Sequence, residues 1–215
     1  PAHKRCTTIL ELGVKKILSL IAVISLATLT ACGQANSAAT LGDITISQAK
    51  LQTTVDSLLK ERASTDISQM QLETGADLNR SQLRFLIIAT IFDEIAKELK
   101  LEVTKTEIAT TSQELISQSG GETAFASNLV AAQIASSNFE TYVRAIIISD
   151  KISAALVQSG VAEADVSTKL SQLVTAKTKE LNIKVNPRYG TWDDAAGDIV
   201  ATDSAGDAVQ SNATN

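Results

Sequence analysis

Histidine, cysteine and aromatic residues are scarce in this chain of 215 residues, and each shortage removes a class of chemistry. There is one histidine, His3, and there are two cysteines, Cys6 and Cys32. A single imidazole cannot supply a His-based zinc site or an acid/base pair of histidines, and without His3 the remainder of the chain cannot build a Ser-His-Asp triad. Seven aromatic residues (four Phe, two Tyr and one Trp) leave little for stacking on bases or sugars. The glycines are isolated or paired at apparent helix ends, so there is no glycine-rich phosphate loop. The balance of 19 Lys and Arg against 24 Asp and Glu is mildly acidic. It provides neither a basic stripe for nucleic acid nor a polybasic patch for anionic lipid. No catalytic residue, cofactor, metal or nucleic-acid partner is expected.

What is present begins with Lys15-Lys16 and an apolar run of thirteen residues, Ile17 to Leu29, followed by Leu29-Thr30-Ala31-Cys32. As a helix the run would be roughly 20 Å long against a hydrocarbon core of about 30 Å, which is short for a transmembrane span and ordinary for a signal peptide. The order of features resembles a lipoprotein signal with its lipobox. That resemblance implies diacylglycerol on the Cys32 thiol, fatty acyl chains such as palmitate, cleavage before Cys32 and loss of His3 and Cys6. An ordinary secretory signal cut nearby is the competing reading. Residues 1–31 are thus expected to be a signal peptide. Val14 stands where a start codon would give a conventional n-region, so 1–13 read as non-native. Residues 32–40, small and polar, read as a lipidated tether. Four of the bases and one of the acids precede Cys32, so the remainder carries a net charge of −8. Five of its acids follow Trp192, where there is no base, and 194–215 read as a disordered acidic tail.

Between tether and tail the chain reads as helical. Ile44 and Ile46 alternate with Thr45 after Gly42-Asp43, which predicts a short strand. Ser47 caps a helix with Leu51, Val55, Leu58 and Leu59 on one face, and a polar loop covers 64–78. Asn79 with Gln82 reads as a capping box, with Leu78 and Leu83 as its staple. From Phe85 to Phe92 that helix is apolar nearly all round, which demands burial on several sides or a surface kept for a partner. Thr104 to Glu107 is a second capping box, stapled by Val103 and Ile108, and its helix stops at Gly120-Gly121. A short helix uses Phe125 and Leu129. Ser137 to Glu140 reads as a third capping box, starting a long helix through Val143, Ile146, Ile147, Ile148, Ile152 and Leu156. A last helix, about Glu163 to Leu181, leads to alternating Ile183-Lys184-Val185. A lone strand cannot satisfy its backbone, so the strands at 44–46 and 183–185 are expected to pair with each other.

The Gly-Asp strand, the capped helix, the very apolar second helix, Gly120-Gly121-Glu122-Thr123-Ala124-Phe125 and Ser137 to Arg144 together resemble the N-terminal domain of SurA/PrsA-type extracytoplasmic chaperones. Asn186 to Trp192 resembles the end of actinobacterial lipoproteins that carry this domain alone. The resemblance covers about 41–193. It implies a mainly α, multi-helix domain closed by a short strand pair from its two ends. Better-known members insert parvulin prolyl isomerase domains between the long helix and the last one, where this chain has only Ser159 to Ala162, and a parvulin site resembles a two-histidine cluster that is missing here. The expectation is a chaperone module without the enzyme.

Phe85, Ile88, Phe92, Phe139, Tyr142 and Ile146 are the candidate peptide-binding residues, because aromatic and aliphatic side chains give non-directional affinity for unfolded segments. The competing reading places the same residues in the core. Arg188, Tyr189 and Trp192 read either as a binding cluster or as a turn in which Trp192 covers the strands. Asp93, Glu94 and Glu98 read as the solvated edge of their helix. The expected function is a membrane-anchored holdase on the outer face of the cytoplasmic membrane that binds exported, partly unfolded proteins. The alternative is an assembly or scaffold lipoprotein with one folded partner.

Overall fold

The computed structural model describes residues 36–202. The predicted signal peptide, the lipobox and Cys32 lie outside the described residues, as does the end of the acidic tail. Five short strands and six α-helices follow in the order β1 (Ser37–Leu41), β2 (Ile44–Ser47), α1 (Gln48–Ala63), α2 (Gly75–Glu98), α3 (Lys105–Gln118), α4 (Glu122–Ala131), α5 (Phe139–Gln158), α6 (Glu163–Leu181), β3 (Lys184–Val185), β4 (Thr191–Asp193) and β5 (Asp198–Val200), with a 3-10 turn Ser136–Asn138 before α5. The domain is mainly α, as expected.

The strand expectation needs correction. Ile44–Ile46 and Ile183–Val185 do not pair with each other; each side of a third strand, β1, takes one of them, in the order β2-β1-β3. Leu41 pairs with Ile44 across the turn Gly42-Asp43, Thr40 with Thr45 and Ala39 with Ile46, while Ala39 and Thr40 also face Val185 and Lys184. β1 occupies what had read as the last part of the tether. Its sequence Ser-Ala-Ala-Thr-Leu resembles a linker because a central strand pressed on α2 has no room for large side chains. Ala38, Ala39 and Leu41 are almost wholly buried.

The core is built by α2. Leu83, Ile87, Ile91 and Ile95 recur every four residues and are buried, so they form one stripe along the helix. Leu51, Val55 and Leu58 of α1 and Ile148 and Ile152 of α5 join them. Leu59 remains exposed, one position off the α1 stripe. At about 25 cal/mol per Å² of apolar surface, each fully covered Leu or Ile contributes roughly 1.5–3 kcal/mol.

Of the three predicted capping boxes one forms. Thr104 Oγ1 accepts from Glu107 N at 3.2 Å and the Glu107 carboxylate accepts from Thr104 N at 2.8 Å. The α2 box fails because the helix starts a turn earlier, at Gly75. Buried Leu78 is thereby held within the helix, and Asn79 Nδ2 donates back to Gly75 O at 2.7 Å. The α5 box fails because its residues dock on α1 instead. Ser137 Oγ donates to Ser57 Oγ at 3.4 Å and buried Asn138 donates through Nδ2 to Thr54 Oγ1 at 3.3 Å, while the preceding Ser136 Oγ donates to Glu61 Oε1 at 2.6 Å.

The tail is also corrected at its beginning. Asp193 to Asp198 turn the chain back so that Trp192 faces Ile199, and both are buried against the main core. Gly190, at φ +125°, allows this: a Cβ there would lie 2.2 Å from Val200 O. Arg188 and Tyr189 belong to a turn closed by Tyr189 N donating to Asn186 O at 2.9 Å, the second of the two readings of that cluster.

Candidate functional site

Burying one stripe of α2 leaves a second apolar stripe, Phe85, Ile88 and Phe92, half-covered at helical spacing. Opposite stands α5 with Tyr142, Ala145, Ile146 and Ser149. Between the two helices runs an open groove of about 700 Å³, closed at one end by Ala132, Gln133 and Ile134 from the connection after α4. Five of the six candidate residues therefore meet in one groove. Phe139, the sixth, is not brought there: its ring packs edge-on against Phe125, with centroids 4.7 Å apart and planes at 67°. It is spent on joining α4 to α5.

Ala145, Ser149 and the 132–134 connection were not anticipated. The α5 wall could have been completed by stepping three, four and seven residues from Tyr142, since those positions share a helical face. The 132–134 segment carries no such signal, because its place depends on a tertiary polar knot.

That knot is made of Arg62, Glu73, Gln82 and Gln133. Arg62 Nη1 donates to Glu73 O at 2.7 Å and Nη2 to Gln133 Oε1 at 2.9 Å. Glu73 N also donates to Gln133 Oε1, at 3.0 Å, and Gln82 Nε2 donates to Gln133 O at 2.9 Å. Gln133 sits in the left-handed region at φ 59°, an uncommon conformation for a residue with a Cβ. Burial pushes the Arg62 guanidinium below its ordinary value, and the nearby Glu73 charge works in the opposite direction. Among the described residues the Arg62 Nε has no hydrogen-bond partner. The connection at 132–134 is thus tied to the end of α1, to the segment before α2 and to α2 itself.

Ion pairs hold the surrounding helices. Arg144 Nε on α5 lies 2.6 Å from Asp93 Oδ1 on α2. Both are partly exposed, so the pair contributes at most about 1 kcal/mol and serves mainly to fix register. Lys151, next to the groove residue Asp150, donates to Glu107 at 2.6 Å and to Glu102 O at 2.6 Å, which ties α3 to α5. The Lys151 ammonium, followed by the two Thr104 donors, brings the Glu107 carboxyl down to about 2. Lys177 of α6 is largely covered and pairs with Glu180 at 2.7 Å and with Glu98 at the end of α2. Those hydrogen bonds raise its ammonium above the ordinary lysine value. Among the described residues there is no group of three His, Cys, Asp or Glu side chains placed to hold a metal, and no helix long and apolar enough to cross a membrane.

The groove is suited to non-covalent work: its walls are aliphatic and aromatic, and its charged residues, Glu73, Arg84 and Asp150, stand among polar neighbours at its edges. No curated protein and no solved structure matches the chain. A family model, described as SurA-like N-terminal domain, matches residues 8–153, a span that contains β1 to α4 and most of α5. The match covers more than half of the sequence and includes both walls of the groove, and the chain belongs to the SurA-like N-terminal domain family.

Proposed function

We propose that this protein is an extracytoplasmic holdase, tethered by lipid on Cys32, that captures exposed apolar segments of exported polypeptides in the groove between α2 and α5. The observation that carries this reading is the convergence of Phe85, Ile88, Phe92, Tyr142 and Ile146 on one open groove. A concave site with apolar walls and a few polar groups is the usual form of a binding pocket. Apolar contact is non-directional, so it suits clients of unrelated sequence. No bond is made or broken in this reading. Helices α5 and α6 are joined by residues 159–162, and the short joint supports a chaperone module without an isomerase inserted at that point.

The test is suppression of aggregation of an unrelated, thermally unfolding protein, without ATP, by the chain and by its Ile88→Asp and Ile146→Asp variants. Both positions are half-covered, so a charge there solvates without unfolding the core. The wild type should suppress aggregation in moderate salt, where charge-driven capture is screened, and each variant should lose most of the effect with its helical circular dichroism intact. Failure of the wild type at several-fold molar excess overturns the holdase reading and leaves the single-partner scaffold.

A further inference from the structure

Beside the groove, on the neighbouring face of α2, lies a second, smaller cavity of about 280 Å³, between α2 and the first hairpin, and Ala89 lines both. All four residues of β2 line it, together with Leu86, Ala89 and Thr90 of α2, and Lys50 and Asp93 are among its charged lining residues. β2 ends the sheet order, so only one of its sides is paired. Leu41 and Ile44 close a two-residue turn and exchange backbone hydrogen bonds. Because antiparallel pairs alternate, the N–H and C=O of Thr45 point away from β1. Thr45 is exposed, and no backbone or side-chain group among the described residues bonds to either of them. Natural edge strands are usually guarded by proline, lysine or an inward charge. Ile44-Thr45-Ile46-Ser47 has none of these, and its only bulge lies on the partner strand, between Ser37 and Ala39. The opposite edge, β3, is two residues long and carries Lys184.

We infer that the outer edge of β2 is a strand-addition site, which takes an extended polypeptide segment against Thr45 and seats its alternate side chains in the cavity floored by Leu86 and Ala89. Unpaired backbone donors and acceptors specify another backbone as the occupant, because a helix has none to offer and a small molecule cannot match the strand repeat. The cavity has room for one or two aliphatic side chains, which favours valine-sized residues at every second position. The cavity meets the α2–α5 groove at Ala89, while the backbone edge at Thr45 lies outside the groove.

The test uses the whole chain and a fluorescent seven-residue peptide alternating valine and threonine, capped at both ends. Its counterpart is N-methylated at every second residue, which removes the donors and leaves the side chains. Thr45→Pro deletes the outward N–H and leaves the β1 ladder alone; Thr45→Val keeps the N–H and the branched shape. The wild type and Thr45→Val should bind the plain peptide alike, while Thr45→Pro and the methylated peptide should each weaken binding at least tenfold, and Ile88→Asp should have no effect. No binding by the wild type, or equal binding of the plain and methylated peptides to it, overturns the proposal whatever Thr45→Pro does to folding. If Ile88→Asp abolishes binding and Thr45→Pro does not, the peptide sits in the groove and the edge is no site.

Discussion

At the scale of single residues, two positions do work that their neighbours cannot. Gly190 lies at φ +125° with Val200 O where its Cβ would be. Gly190→Ala should cost about 1–3 kcal/mol from backbone strain alone, with the clash adding to it, and should loosen β4 from β5. Faster hydrogen exchange at Trp192 and Ile199, with α1 and α2 unaffected, would show the damage is local. Glu107 is the second position. Its carboxyl titrates near 2 in the folded chain and near 4.5 otherwise, so the link it makes to Lys151 and Thr104 is fully present above about pH 4.5. The link is lost as pH falls from there towards 2. Protection of the α3 amides, taken relative to their intrinsic exchange rate at each pH, should fall over that window in the wild type, whereas Glu107→Gln should show a lower protection that does not change across it. Lys177 behaves in the opposite sense: its contribution is complete below its ordinary value of 10.5 and is lost as pH rises through the raised one.

At the scale of elements, β1 is the central strand of the sheet and the one that a reading of apolar alternation misses. Ala39→Asp would bury a charge in the central strand beneath α2 and should cost several kcal/mol, enough to unfold much of the domain. Val185→Asp, on the half-covered edge strand β3, should cost clearly less; urea midpoints of the two variants would compare them directly. Helix identity was legible because the stripes at Leu51 to Leu58 and at Leu83 to Ile95 announce themselves by period. Strand β1 was not, because small residues chosen to fit under a helix have the composition of a linker. The capping boxes show the same limit. Ser137 to Glu140 has the right letters, yet Asn138 turns inward to Thr54 and Ser136 binds Glu61, partners more than seventy residues away in sequence. The groove was legible to the extent that its walls follow helical period, which caught Phe85, Ile88, Phe92, Tyr142 and Ile146. Phe139 was misplaced for lack of any sequence signal that Phe125 would claim it.

At the scale of the whole molecule, an anchor and a groove divide the proposed task. With acyl chains contributing about 0.8 kcal/mol per buried CH₂, two or more chains on Cys32 would hold the protein to a membrane more firmly than its surface could. Cys32→Ala should therefore leave the chain unprocessed or release it from the membrane fraction. Equal retention of that variant would remove the lipoprotein reading without touching the groove.

The groove itself is tested most directly by crosslinking. A photoreactive phenylalanine analogue placed at 146, inside the groove, and at 157, exposed about 16 Å further along the same helix and outside the groove, is irradiated with a reduced, permanently unfolded globular client and with the same client folded. Groove capture predicts a strong adduct at 146 with the unfolded client, little with the folded one, and little at 157 with either. Adducts of equal yield at both positions, or a yield at 146 indifferent to whether the client is folded, would contradict it.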